Sequence, residues 1–394
     1  MNKFLLARLK SPWAREQFPA RAAALIERSL PHTAKVIAVQ RLSPEVVLVS
    51  LQAMDFFGFG RSYHRGKQRS VTFDGFPLPN GRAFTSGKVA EELHSWLDAF
   101  QLSDTFERLQ GEYSLAVHDA GNDTFTAFSD FSGLKPLYFL DSGDFTAVSN
   151  RQFLLNPLCT RSVKPTFDLP QAVSLITQGN KFGNGSIYAG IRLLRPGTYV
   201  TSTPDGCLEI KAFPTQVWSR REAPSQADYD AACGALVQNF NWMRDVPALR
   251  DEPLKLSLTG GEDSRLVLAL ALNSSVRDRV TTATYGYDDN PDIKVAQIVA
   301  EAAGVEHKKF IFKRPVPGKP DIGGYLDLLR SHAFRFEGAP GAWDGGATTV
   351  TATGFDVTGL FDFFYKRVRP SNAAVDLQTA DEVLEHFITF QQPY

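Results

Sequence analysis

Apolar and polar positions change their rhythm once along this chain, near residue 212. Before that point, from about residue 35 to 210, short β-branched or aromatic runs recur: Val36-Ile37-Ala38-Val39, Val46-Val47-Leu48-Val49, Tyr113-Ser114-Leu115-Ala116-Val117, Thr124-Phe125-Thr126-Ala127-Phe128 and Phe145-Thr146-Ala147-Val148. The polar tetrads Asp119-Ala120-Gly121-Asn122 and Asp141-Ser142-Gly143-Asp144 separate them, as antiparallel hairpins require. Helical spacing occurs at about 87–100 and 168–178. Pro214, Arg220, Arg221, Pro224 and Ser225 mark 212–226 as a linker. Beyond it helix and strand alternate: helix 226–243, strand 254–258, helix 264–273, strand 279–285, helix 291–303, strand 307–312, helix 320–334 and a strand at about 354–358. Such alternation implies a parallel sheet with helices on both faces. The expected organisation is therefore an α+β domain of antiparallel sheets with helices over 1–211, the linker, and an α/β domain over 227–394. There is no internal repeat or low-complexity tract.

Composition narrows the class without naming a function. At 394 residues, 43% hydrophobic and 22% charged, the chain reads as an ordinary globular protein of two or three domains. Its net charge of −1 provides no field for nucleic acid or an acidic membrane. Cys159, Cys207 and Cys233 form neither a disulfide framework nor a zinc spacing. Phe4-Leu5-Leu6-Ala7 is too short for a signal-peptide core. No apolar stretch approaches the roughly 18 residues of a spanning helix. A cytoplasmic protein without nucleic-acid or membrane partners is expected.

The chemistry concentrates where strand 254–258 ends. Leu258 is followed by Thr259-Gly260-Gly261-Glu262-Asp263-Ser264-Arg265, and an apolar helix continues through Leu266–Leu272. Strand, glycine turn and helix together aim backbone N–H groups and a positive helix end at an anion. Thr259 and Ser264 add hydroxyl donors, and Asp263 offers a carboxylate able to hold Mg²⁺ against that anion. The Lys-Ser/Thr end of a Walker A loop is absent. A plain Gly-Gly turn with an acidic helix start is the simpler reading. A second strand end, Thr282–Tyr287, leads into Asp288-Asp289-Asn290-Pro291-Asp292, which suits either a nucleotide-base wall or a helix cap. Near a third, Asp362 could join Asp263 on Mg²⁺ or cap the segment from Phe363. Glu337 faces a substrate or merely ends a helix.

Three ordered blocks make the chain resemble the asparagine synthetase-like family, which includes β-lactam synthetases and the cyclases that close lasso peptides. Gly111–Val117 followed by Ser129-Asp130-Phe131-Ser132-Gly133-Leu134-Lys135-Pro136-Leu137-Tyr138 is similar to "GEFAFAIWD…RDRFGIKPLYY". Ser186-Ile187-Tyr188-Ala189-Gly190-Ile191-Arg192-Leu193-Leu194-Arg195-Pro196-Gly197 resembles "FxGIxxLxPG". Leu258–Arg265 is similar to the pyrophosphate loop Ser-Gly-Gly-x-Asp-Ser. The resemblance spans about residues 70–365. It implies an Ntn-hydrolase-like glutaminase domain ahead of an adenine nucleotide α-hydrolase-like ATP-pyrophosphatase domain.

The same resemblance implies an ATP-dependent ligase that activates a carboxylate as an acyl-adenylate, releases pyrophosphate and joins the acyl group to ammonia or a substrate amine. ATP and Mg²⁺ would be the cofactors, and a small-molecule or peptide carboxylate the partner. Asp263 and Asp362 would be the catalytic metal ligands. Leu258, Thr259, Gly260, Gly261, Asp263, Ser264, Tyr285, Thr358 and Gly359 would border the nucleotide. Departures from the pattern bear on two alternatives. Asn2 follows Met1 where active glutaminases expose Cys, and Asp74-Gly75 stands at the oxyanion-side Asn-Gly, against a true glutamine-hydrolysing asparagine synthetase. Thr358-Gly359-Leu360-Phe361-Asp362-Phe363 shortens the "SGxGxDE" motif, and the chain ends at Tyr394 where relatives continue. The second domain is thus expected to be short at its C-terminus, and a non-catalytic or accessory relative is the other alternative.

Overall fold

In the computed structural model, which describes residues 2–28, 35–53, 62–80, 84, 88–99, 105, 108–155, 167–178, 183–213, 225–244, 251, 253–311 and 350–352, the strand Asn2–Leu9 buries both of its faces. Successive side chains on a strand point to opposite sides. Phe4 and Leu6 enter one core with Leu48, Phe125, Ala127 and Val200. Leu5, Ala7 and Leu9 enter another with Ala14 and Phe18 of the helix Pro12–Arg28. The Phe18 and Phe145 rings lie 5.2 Å apart in that second core.

Asn2–Leu9 lies inside a six-stranded antiparallel sheet ordered Arg192–Leu193, Tyr138–Asp141, Phe145–Ser149, Asn2–Leu9, Val46–Ala53, Lys35–Arg41. A second six-stranded antiparallel sheet runs Leu208–Ala212, Thr198–Ser202, Thr124–Ser129, Tyr113–Asp119, Arg69–Gly75, Tyr63–Arg65. The core holding Phe4 and Leu6 fills the space between these sheets. On the far side of the second sheet, Val71, Phe73, Leu115 and Phe128 pack against the helix Val89–Asp98. That helix offers Val89, Ala90, Leu93 and Leu97, one apolar stripe at helical spacing. The layers are helix, sheet, sheet, helix, the α+β architecture expected for this half.

The other compact unit, centred on Glu252–Arg314, is built on four parallel strands. Their order is Glu306–Ile311, Val280–Gly286, Leu254–Ser257, Val350–Ala352. The helices Glu262–Leu272 and Pro291–Ala303 connect the first three strands in sequence, stepping the same way across the sheet. Val350–Ala352 pairs on the opposite side of Leu254–Ser257, so the strand order reverses there. Open parallel sheets bind ligands at the carboxyl ends of strands at such a reversal. Leu254, Leu256, Leu258, Thr282 and Thr284 are buried, whereas Tyr285 and Phe310 are 45% and 39% exposed. The expected helix 320–334 and strand 354–358 lie outside the described residues. Among the described residues, no helix is long and apolar enough to cross a membrane.

Candidate functional site

The loop after Leu254–Ser257 begins on a fixed base. Leu258 is buried, its N–H donates to Ala283 O at 2.9 Å, and its carbonyl accepts from Thr284 Oγ1 at 2.6 Å. Behind it, His307 places Nδ1 2.9 Å from Thr282 Oγ1 and Nε2 3.4 Å from Thr284 Oγ1. Burial and the Lys309 ammonium push the His307 pKa down, against the Glu301 carboxylate. The His307 ring thus ties the strand Glu306–Ile311 to two threonines of its neighbour Val280–Gly286.

Thr259 to Ser264 then close on themselves. The Thr259 N–H donates to Ser264 Oγ at 3.1 Å, the two hydroxyl oxygens are 3.1 Å apart, and Gly261 N–H donates to Thr259 Oγ1 at 3.2 Å. Ser264 Oγ is also within bonding distance of the Thr259 and Gly261 carbonyls, at 3.2 and 3.1 Å. Gly261 is the N-cap of the helix Glu262–Leu272, and no side chain caps that end. Its first turn carries Glu262 and Asp263, with Asp263 partly exposed. Arg265 is exposed and donates from Nε to Gly261 O at 3.3 Å.

Gly260 is hemmed in by the neighbouring helix. Its N–H donates to Asp292 Oδ1 at 3.1 Å, and a Cβ there would meet that oxygen at 2.7 Å and Val295 Cβ at 3.2 Å. Asn290, not Asp288 or Asp289, caps Pro291–Ala303, its side chain accepting the Asp292 N–H at 2.9 Å. The acidic run expected to serve as cap or base wall thus contributes Asp292 to the loop, a role with no signal in local sequence.

The structure gathers Thr259, Gly260, Gly261, Asp263 and Ser264 at one strand end. Tyr285 stacks its ring on Phe310 at 4.7 Å, with the Lys255 ammonium 2.6 Å from its hydroxyl. Thr358, Gly359 and Asp362 lie outside the described residues, as do Glu337 and Phe363. Among the described residues, no group of three or more His, Cys, Asp or Glu side chains gathers around a metal position. Asp263 fits a role as one carboxylate on a phosphate-bridging ion, which needs only one or two.

In the first unit, the motif turns brace one another. Asp130 accepts the N–H groups of Ser132, Leu134 and Lys135 at 2.9–3.1 Å. Gly133 sits at φ +68°, and a Cβ would lie 2.8 Å from Pro196 Cγ, so two of the sequence blocks touch there. Gly75 has φ +94°, and a Cβ there would collide with the Glu112 carbonyl oxygen. Asp74, beside it, is buried and pairs with the equally buried Arg151, Oδ2 to Nη2 at 3.2 Å.

Comparison with family models finds a glutamine amidotransferase domain over residues 80–213 and asparagine synthase over residues 248–315. The chain is asparagine synthetase-like. The asparagine synthase match supports membership of an ATP-dependent ligase family. No curated protein matches this asparagine synthetase-like chain. Among solved structures it is similar to a glutamine phosphoribosylpyrophosphate amidotransferase from B. subtilis complexed with ADP and GMP, at 12% identity and TM-score 0.33, over 83% of this chain and 70% of that one. An NH3-dependent NAD synthetase from Campylobacter jejuni subsp. jejuni in complex with the nitrate ion matches at 13% identity and TM-score 0.21, over 28% of this chain and 52% of that one. In this asparagine synthetase-like chain the carboxylate of Asp74 is consumed by Arg151, where the family resemblance puts an amide donor.

Proposed function

We propose that the chain is an ATP-dependent amide-bond-forming ligase whose pyrophosphate site is the loop Thr259–Ser264. A substrate carboxylate attacks the α phosphorus of ATP, the bond to the β-phosphate oxygen breaks, and pyrophosphate leaves an acyl-adenylate. An amine then attacks the acyl carbon, expelling AMP and losing its proton. The observation that carries this reading is the convergence at one strand end of a glycine loop, two hydroxyls and a helix start without a side-chain cap. A bound Mg²⁺ would supply charge neutralisation on the leaving pyrophosphate. Asp263 and Asp362 are the residues proposed to hold it.

The amine is ammonia or a substrate nitrogen in this reading, and glutamine hydrolysis is not part of it. A carboxylate beside a developing oxyanion raises the barrier, and Asp74, buried and paired with Arg151, puts one at that position. Pyrophosphate release from ATP in the presence of Mg²⁺, a panel of carboxylates and ammonium tests the proposal. Asp263→Asn is expected to lower that release by at least about a hundredfold, as loss of a metal ligand on a leaving group does. Absence of ATP·Mg²⁺ binding by the purified chain, followed calorimetrically, sinks it.

A further inference from the structure

We propose that Asp292 is a positioning residue for the phosphate loop, latching Gly260 to the helix Pro291–Ala303 so that the first amides of the helix Glu262–Leu272 face the anion. The proposal rests on the nucleotide reading of that loop. The Asp292 side chain is exposed, but its backbone is anchored: its N–H donates to Asn290 Oδ1 at 2.9 Å, and Pro291 precedes it at the helix start. From that anchored backbone its Oδ1 accepts the Gly260 N–H at 3.1 Å. Val295, one turn further on, closes the other side, with its Cβ 3.2 Å from where a Gly260 Cβ would be.

This latch determines which donors remain for a ligand. The Thr259 N–H is taken by Ser264 Oγ, the Gly260 N–H by Asp292 and the Gly261 N–H by Thr259 Oγ1. The loop glycines therefore shape the approach without donating. The donors aimed outward belong to the helix start, which has no side-chain cap and where aligned amides favour negative charge. With the peptide before Gly260 free to rotate, the loop could turn a carbonyl toward the phosphate. Asp292 prevents that rotation from the flank.

The test uses the full chain, amide hydrogen exchange at Gly260 and calorimetric titration with ATP·Mg²⁺. Asp292→Ala removes a charge-assisted hydrogen bond, so Gly260 exchange is expected to speed up by about tenfold and ATP·Mg²⁺ affinity to fall by about tenfold. The Leu258 amide, bonded to Ala283 O, should keep its rate, which separates loss of the latch from loss of the fold. Asp292→Asn retains an acceptor oxygen and should restore most of both properties. Unchanged Gly260 exchange in Asp292→Ala overturns the latch. Faster exchange with equal or tighter ATP·Mg²⁺ binding overturns the positioning role and makes Asp292 a competitor of the phosphate. If the wild type binds no ATP·Mg²⁺ while Asp292→Ala still speeds Gly260 exchange, the nucleotide reading itself fails and the positioning role with it.

Discussion

Asp74 looks in sequence like a glutaminase residue gone wrong, and its neighbour in space changes that meaning. Arg151 lies far along the chain, yet the two side chains meet at 3.2 Å with almost no exposure. A buried ion pair adds little net stability, but removing one partner strands a charge. Asp74→Asn should therefore destabilise the chain by roughly 3–5 kcal/mol in urea denaturation. Replacing both residues with apolar ones of similar volume should recover much of the loss. If Asp74→Asn costs no more than an ordinary surface change, the Asp74–Arg151 pair does not hold the fold together. No spacing rule connects positions 74 and 151, which is why this contact escapes a reading of the chain.

The glycines separate into two kinds when the elements around them are considered. Gly75 ends the strand Arg69–Gly75 at φ +94°, and the space a Cβ would need there is filled by a backbone carbonyl oxygen. Gly260 needs no positive φ, and what crowds it is the Asp292 carboxylate at 2.7 Å, with Val295 behind. Gly75→Ala must move backbone and should cost at least about 2 kcal/mol of stability. Gly260→Ala can displace a side-chain oxygen, so it should cost less than about 1 kcal/mol while weakening ATP·Mg²⁺ binding. Thermal melts and titrations of both variants check this, and equal melting losses would contradict it. The strand Asn2–Leu9 teaches a related lesson. Read as Phe4-Leu5-Leu6-Ala7, it shows no alternation, because both faces are buried between layers and every position is apolar or held. The strands 113–119, 124–129 and 145–149 were legible because turn residues bracket them.

Across the whole first unit, a charge cluster ties one sheet to the other. Buried Arg8 of the strand Asn2–Leu9 bonds Ser202 and Asp123, pairs with Glu45 at 3.2 Å, and Asp123 in turn bonds His118 at 3.1 Å. Burial holds the His118 pKa below its ordinary value of 6.5, despite the Asp123 carboxylate. Burial opposes ionisation of Asp123, but His118, Ser43 and Arg8 hold it below 3.8. The unfolded chain takes up a proton on His118 near pH 6.5 and the folded chain only at lower pH, so stability falls as pH drops below about 6.5 toward the folded value. The Asp123 contribution is lost later, as pH falls through its depressed folded value. Urea midpoints should drop between about pH 7.5 and pH 5.5, and His118→Gln should flatten that drop. A variant with the wild-type slope would remove His118 from the account.

Local chemistry was enough to read the two-part order of the chain, the parallel strands at 254–258, 279–285 and 307–312, and the glycine turn between the first strand and its helix. Those features depend on periodicity and on glycine, proline and capping residues a few positions apart, which is the range over which a sequence speaks plainly. Folding in three dimensions was needed to join Asp74 to Arg151, Arg8 to Asp123 and Asp292 to Gly260. Each of those contacts brings together groups from separate elements, and its strength comes from burial or from a backbone held at a fixed angle. Neither is a property of a residue in its local sequence. The loop is recognisable from a short run of residues, but the orientation of its amides depends on a separate helix, which begins only after the next strand.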